Sequence, residues 1–239
     1  MTNSYFLGYD TKESEAFSVA HHSIRCHSKR EKITALHLPS LREKGLYTRP
    51  TSARDGRLWD DLSGAYMSTE HANSRFLAPL IANTRWALFT DCDIIVKRPI
   101  AELFEEADSR FAVQVVKHDY QPAEGVKMDG QAQQLYARKN WSSVMLFNVD
   151  HPANQRLTLD MVNTLPGRDL HRFCWLEDHE IGNLTPRWNW LVGHSDDQIR
   201  PAIIHYTQGI PSMHGYEGCA YAEEWFAMRR EWLGISQMV

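Results

Sequence analysis

The sequence predicts an α/β fold built on a largely parallel sheet. Two observations lead there. Short apolar runs alternate with helix-periodic segments through the first half of the chain, the pattern of strands joined by crossover helices. Two of those runs end on groups with chemistry, Tyr9-Asp10 and Asp91-Cys92-Asp93, and ligands in such sheets bind beyond the C-terminal ends of the strands. The 239 residues, 43% hydrophobic and 23% charged, are enough to bury a core without disulfides.

Each element follows from local pattern. Tyr5-Phe6-Leu7-Gly8-Tyr9-Asp10 is an apolar run that stops in turn chemistry, a short buried strand. Residues 14–27 carry Ala16, Val19, Ala20 and Ile24 at helical spacing behind Ser14, a good N-cap. Residues 33–38 read as a second strand. Residues 42–61 are polar, with Gly45, Pro50 and Gly56, and read as a long surface excursion. Residues 68–81 read as a helix capped by Ser68 or Thr69, with Glu70 in its first turn. Trp86-Ala87-Leu88-Phe89-Thr90 is a strand that stops at Asp91. A short helix over 100–107, strands over 111–116 and 143–147, a helix over 157–164 and a strand over 201–205 complete the middle. Residues 222–233 place Trp225, Met228, Arg229 and Trp232 on one side of a closing amphipathic helix.

Composition excludes several functions. The net charge of −4 and a pI near 6.3 disfavour a nucleic-acid partner held by bulk positive charge. Mean hydropathy is −0.47, and no apolar run approaches the ~18 residues of a membrane span. Residues 1–10 lack the basic start and apolar stretch of a signal peptide. Cys26, Cys92, Cys174 and Cys219 lie far apart with no C-x-x-C pair, so they read as reduced thiols of a cytoplasmic protein rather than as a disulfide frame or zinc knuckle. Eight Trp and twelve His are many for this length.

The densest chemistry is Asp91-Cys92-Asp93. Two carboxylates one residue apart in extended backbone point the same way. They suit a divalent cation such as Mg2+ or Mn2+ and leave room for a diphosphate in its shell. A D-x-D is often only a pair of solvated turn carboxylates. Here Leu88-Phe89-Thr90 precedes it and Ile94-Ile95-Val96 follows, so the acids sit at a core edge, where unpaired carboxylates are costly. His205 ends a late apolar run and is the natural third ligand, although a lone His also fits a structural role. Arg75, among Ala72, Phe76, Leu77 and Leu80, reads first as a structural partner and otherwise as a fork for phosphate or an active-site Asp. Asn140, Ser142 and Ser143, with Lys127, Asp129 and Gln131 nearby, fit either sugar hydroxyls or a polar loop. Glu177-Asp178-His179-Glu180, followed by Trp188-Asn189-Trp190, is either a site of sugar-contacting carboxylates or a solvated loop.

The order of these motifs resembles glycosyltransferase family 8, the glycogenin and lipopolysaccharide galactosyltransferase group. Ser-Thr-Glu-His-Ala-Asn-Ser-Arg-Phe-Leu-Ala-Pro from Ser68 is similar to that family's aromatic-Arg-x-x-x-Pro helix. It is followed by Trp-Ala-Leu-Phe-Thr-Asp-Cys-Asp-Ile-Ile-Val and Ile-Ala-Glu-Leu-Phe, a D-x-D strand and its sequel. The segments 140–148, 177–190 and 205–209 resemble the family's Asn-small-small strand, its Asp-Gln and Trp-Asn-aromatic segments, and its late His motif.

The resemblance implies one GT-A domain over residues 1–239, with a Rossmann-like, mixed but mostly parallel sheet. It implies a retaining transferase that moves a hexose of glucose or galactose type from a UDP-sugar to a carbohydrate or other hydroxyl acceptor. Asp91, Asp93 and His205 would hold Mn2+ or Mg2+. Arg75 would steady the donor or a metal-site carboxylate. Gly8, Tyr9 and Asp10 would meet uracil and ribose. Cys92 and Gly209 join the donor site, Asn140 and Ser142 the sugar, and Asp178 is the catalytic carboxylate. Trp141, Trp188 and Trp190 would border the sugar, and Trp225 and Trp232 would pack the last helix. The chain departs from the family where Asp-Gln becomes Glu177-Asp178-His179-Glu180, and where the late motif lacks its Lys; His214 is the candidate stand-in. Competing readings are a non-catalytic or hydrolytic sugar-nucleotide-binding protein and a haloacid-dehalogenase-like phosphatase. The latter expects Thr or Val where Ile95 stands, and expects its motif on the first strand.

Overall fold

The computed structural model describes residues 3–28, 32–118, 138 and 140–235. In chain order these form β1 (Ser4–Gly8), α1 (Ser14–His27), β2 (Ile33–Leu36), α2 (Leu38–Glu43), β3 (Thr51–Arg54), β4 (Arg57–Asp60), β5 (Ala65–Tyr66), α3 (Ala78–Ile81), β6 (Trp86–Thr90), β7 (Ile94–Val96), α4 (Ala101–Phe104) and β8 (Val113–Val115). Then come β9 (Val144–Asn148), α5 (Leu159–Thr164), α6 (Gly167–His171), β10 (Ile181–Asn183), β11 (Trp190–Leu191), β12 (Ile203–His205) and α7 (Ala222–Trp232).

The main sheet has six strands in the order β10-β8-β9-β6-β1-β2. β1 runs parallel to β2 and β6, and β10 parallel to β8, while β9 is antiparallel to both of its neighbours. The architecture is the mixed, mostly parallel α/β sheet that the sequence predicts. Alternation along the strands divides the core. Phe6, Ala87, Phe89, Met145 and Phe147 face one cluster with Phe76, Phe173 and Trp175. Tyr5, Leu7, Leu88, Val144 and Leu146 face the other with Ala20, Ile24 and Trp188. A period of two puts successive side chains on opposite faces, and strands covered on both faces read as continuous apolar runs.

Two small sheets flank this one. β7 pairs antiparallel with β12, which pairs parallel with β11. The β3–β4–β5 meander replaces the expected surface excursion over 42–61. Its turn is Asp55-Gly56, both at positive φ (50° and 71°), the two-residue hairpin chemistry that Asp-Gly favours. Arg49 anchors the segment. It is fully buried and donates to both oxygens of Asp60, from Nε at 2.8 Å and from an Nη at 2.6 Å.

Three other expectations are corrected. Ser14 is the first residue of α1 rather than its cap; the side chain of Asp10 caps the preceding 3-10 turn by accepting from Lys12 N–H at 2.8 Å. Residues 68–81 are not one helix but turns, a 3-10 turn over Ser74–Leu77 and the short α3. Glu70 N–H is drawn out to Asp10 at 2.8 Å, and Pro79 has no N–H to extend a helical ladder. Trp232 is 40% exposed at the end of α7, whereas Trp225 is buried as expected.

Candidate functional site

Register assembles the site at one edge of the main sheet. β6 ends at Thr90, opposite Val144 at the start of antiparallel β9, so 140–143 lie beside Asp91. Asp91 N–H donates to Ser143 C=O at 2.9 Å. β12 pairs His205 with Ile94, and Tyr206 N–H donates to Asp93 C=O at 2.9 Å. The residues around His205 and Asp93, 112 positions apart in the chain, are thereby fixed side by side. One ligand atom from each of Asp91, Asp93 and His205 lies within 4.8 Å of the others.

Asp91 is the electrostatic centre. His71 Nε2 lies 3.0 Å from Oδ1, and Arg75 approaches Oδ1 at 2.8 Å and Oδ2 at 3.2 Å. Burial would raise the Asp91 carboxyl, but the Arg75 guanidinium and the His71 hydrogen bond outweigh it and hold the acid far below the usual carboxylate range. Arg75 is fixed in turn by donating to the carbonyls of Ala72 at 3.0 Å and Ser142 at 2.9 Å, with its charge over the Phe89 ring. His205 Nε2 lies 3.1 Å from Asp93, while Nδ1 meets Asn189 Oδ1 at 2.9 Å. With Nδ1–H donating to Asn189, Nε2 is presented to the metal-ligand cluster. Burial works to lower the His205 imidazolium, and the Asp93 carboxylate overcomes that and raises it. Asn189 passes the contact on. Its Nδ2 donates to Ser143 Oγ at 2.9 Å, and Ser143 Oγ donates to Asn140 C=O at 2.7 Å.

The other expected residues divide. Asn140 takes the left-handed region (φ 63°), which Asn tolerates, on the loop pinned by Ser143. Ser142 is buried and its hydroxyl is committed to His171 Nδ1 at 2.7 Å. Both oxygens of Asp10 accept backbone N–H groups, from Lys12 and Glu70. Tyr9 packs edge-on against Phe17 and His37. Gly8 and Gly209 have packing reasons, since a Cβ would lie 2.6 Å from the His71 ring and 2.7 Å from Tyr216, respectively. The Cys92 side chain is fully buried, its Sγ against Glu13 Oε2 at 3.5 Å. Burial, then the nearby acids, push its thiol well up. Asp178 opens the 3-10 turn that precedes β10, exposes 94% of its side chain and pairs with Arg138. His214 is fully exposed beside Glu217 at 3.5 Å. Trp188 and Trp190 are core residues rather than a sugar border, and Trp141 is half-buried with Nε1 donating to His118 C=O at 3.2 Å. Lys127, Asp129 and Gln131 lie outside the described residues.

The chain is 41% identical over 234 residues to Protein CDI of Arabidopsis thaliana, covering 95% of this chain and 86% of that one. The chain belongs to the Protein CDI family. No family model matches it. Among solved structures, this CDI-family chain is similar to the glycosyltransferase GlyE of Streptococcus pneumoniae TIGR4, with a TM-score of 0.61 at 14% identity over 98% of this chain. It spans 62% of GlyE's length. It is also similar to the galactosyltransferase LgtC, solved with donor and acceptor sugar analogues, with a TM-score of 0.57 at 13% identity, over 98% of this chain and 100% of LgtC. At that identity the likeness shows the fold, which is GT-A.

Sequence reasoning missed several residues that the fold of this CDI-family chain packs around the candidate site. His71 lies in the Ser-Thr-Glu-His segment but has no distinguishing pattern; only the fold lays it on Gly8 and against Asp91. Asn189 sits in Trp-Asn-Trp, and the signal was an amide between two core aromatics, which must find a buried partner. Glu13 is half-buried near Asp93, and burial first, then the Asp93 charge, push its carboxyl up to about 7. His118 Nε2 is buried with no hydrogen-bond partner among the described residues. Burial and the His205 and His194 charges hold its imidazole down to about 4.

Proposed function

We propose that this protein is a metal-dependent glycosyltransferase of the family 8 type. It would transfer a hexose from a UDP-sugar to a carbohydrate or other hydroxyl acceptor with retention of anomeric configuration. One observation carries the reading: Asp91, Asp93 and His205 bring one ligand atom each within 4.8 Å of the others. Two carboxylates and one imidazole suit Mn2+ or Mg2+ better than a thiophilic metal. Arg75 and His71 keep Asp91 ionised, and Asn189 fixes the tautomer of His205, so the ligands are set before a cation arrives. When bound, the cation supplies Lewis-acid relief of the charge that grows on the leaving diphosphate.

The chain's own groups do the rest. Asn140, held by Ser143 and Asn189, is the candidate oxygen donor toward positive character on the sugar ring. Asp178 joins it only on leaving Arg138. The cations of Lys117 and Arg138 flank Trp141, 5.6 and 5.9 Å from its ring centre, and replace His214 as the candidate basic groups for the phosphates. The phosphatase reading loses ground because the D-x-D follows β6, well into the chain, rather than the first strand.

Calorimetry of UDP with Mn2+, against the same titration in EDTA, tests the metal role. Binding is expected only with metal, and Asp93→Ala is expected to abolish it in a folded protein. Equal affinity in EDTA would sink the proposal. A screen of UDP-sugars for transfer and hydrolysis then separates a transferase from a hydrolytic or non-catalytic binder.

A further inference from the structure

A second group of metal-ligating side chains lies on the outer face of the molecule. His22 and Cys26 are four residues apart on α1 and share one face of it. Glu231 reaches them from the last turn of α7. His22 Nε2 is 3.5 Å from Cys26 Sγ and 3.7 Å from Glu231 Oε2, and all three ligand atoms fall within 4.8 Å of one another. Those separations can be compared with coordination geometry. Zinc bonds of about 2.0–2.1 Å to nitrogen or oxygen and about 2.3 Å to sulfur, at tetrahedral angles, place N and S about 3.6 Å apart and N and O about 3.4 Å apart. Both separations from His22 Nε2 therefore lie within about 0.3 Å of the matching edges of such a tetrahedron.

We propose that His22, Cys26 and Glu231 form a second metal site, selective for Zn2+, that staples α7 to α1. A thiolate and an imidazole favour a borderline-soft ion over Mg2+ or Ca2+, and a carboxylate completes three of four positions. Thiolate and carboxylate together neutralise the dication. His22 is partly exposed, and Cys26 and Glu231 are exposed, so an ion reaches the site from solvent and water takes the fourth corner. The staple makes structural sense. Trp225 is the one large side chain of α7 buried in the core, and Trp232 at its end is 40% exposed. The last turn of this helix is thus held mainly by surface groups, and a bond across to α1 fixes the turn that carries Trp232. His22 and Trp232 also line one groove of about 440 Å3 with Phe17, His21 and Ile33, so the staple sets the width of that groove. The site shares no residue with the Asp91 group, and its ligands are softer.

Cobalt(II) is the probe, because a thiolate ligand adds a charge-transfer band that carboxylates and imidazoles do not. Protein stripped with a chelator and titrated with Co2+ should show that band and tetrahedral visible bands at one equivalent, displaced by Zn2+ and not by Mg2+. Asp93→Ala should retain them. Cys26→Ser should lose the charge-transfer band, and Glu231→Gln should weaken binding at least tenfold. In the Asp93→Ala background, Zn2+ should raise Tm, and adding Cys26→Ser should remove that increase. The absence of the band in wild type, its persistence in Cys26→Ser, or unchanged affinity in Glu231→Gln would overturn the proposal. None of these readouts depends on transferase activity.

Discussion

Two arginine–aspartate pairs in this protein use the same chemistry for opposite ends. Arg49 and Asp60 expose 0% and 3% of their side chains. Every direction around them is closed. Arg49 also donates to the carbonyls of Val162 at 3.2 Å and Leu165 at 2.6 Å, while Asn163 Oδ1 accepts from the backbone of Thr48 and Arg49. Arg75 is almost as buried, but its partner Asp91 exposes 14% and stands 4.8 Å or less from two further ligand groups. The first pair holds the β3–β5 meander to α5. The second is an acid kept charged, oriented and open on one side. What marks the second pair as a candidate site is the unfilled side of its carboxylate, not the strength of the pairing.

Removing the two arginines should break this comparison most visibly. Arg49→Ala leaves Asp60 charged in a closed pocket, which costs about 3–5 kcal/mol for a buried pair. A drop in Tm of roughly 6–20 °C is expected for a chain of this size, with unchanged turnover per folded molecule. Arg75→Ala should cost less stability, because Asp91 keeps His71 and a path to water, and should lower metal affinity or turnover about 10–100-fold. Thermal melts and metal titrations of both variants check this. Equal destabilisation by the two would remove the distinction.

Asn189→Ala probes the open pair from its other flank. It deletes the acceptor that fixes His205 and the donor to Ser143 without touching Asp91. Metal affinity should fall about tenfold, the low end of effects from outer partners of a ligand. Asn189→Asp keeps the acceptor and should recover part of the loss, measured by Mn2+ titration. A variant with native metal affinity would reduce Asn189 to a packing residue.

Much of the frame was legible in the sequence. The apolar runs before Gly8 and Asp91 are short, β-rich and uninterrupted, so their identity as central strands needed no tertiary information. α1 ran over the expected residues because its apolar positions repeat at helical spacing on one face. The D-x-D and His205 were readable because each ends such a run. What stayed hidden was pairing between distant residues. Nothing local links Asn189 to His205, His71 to Gly8, or Arg49 to Asp60. The 42–61 segment was misread despite its Asp55-Gly56 turn, because its strands are polar, half-exposed and held by one buried arginine rather than by an apolar face. Residues 68–73 read as helix because their composition allows it, while the carboxylate that unwinds them, Asp10, lies 60 residues away from Glu70.

The smallest effect concerns the histidine beside the open pair. His171 Nδ1 lies 2.7 Å from Ser142 Oγ, and its ring packs edge-on to Phe76. Burial first, then the Arg75 charge, hold its imidazole down to about 3, with Asp91 only partly opposing them. The folded protein therefore keeps His171 neutral while the unfolded chain takes up a proton near pH ~6.5. Below that value the unfolded state binds more protons, so stability must fall as pH drops from ~6.5 toward 3, and none of this contribution changes above ~7.5. His171→Asn places an amide near the position of Nδ1 and cannot titrate. Its melts should show a shallower loss of Tm between pH 6.5 and 4 than wild type, and a small constant offset at pH 8. The closed pair has no histidine among its hydrogen-bonding partners, so Arg49→Ala should shift the whole curve without changing its slope in this window. Parallel acid limbs for wild type and His171→Asn would mean that the proton is taken up elsewhere, with His118, also held low by burial, the next group to replace.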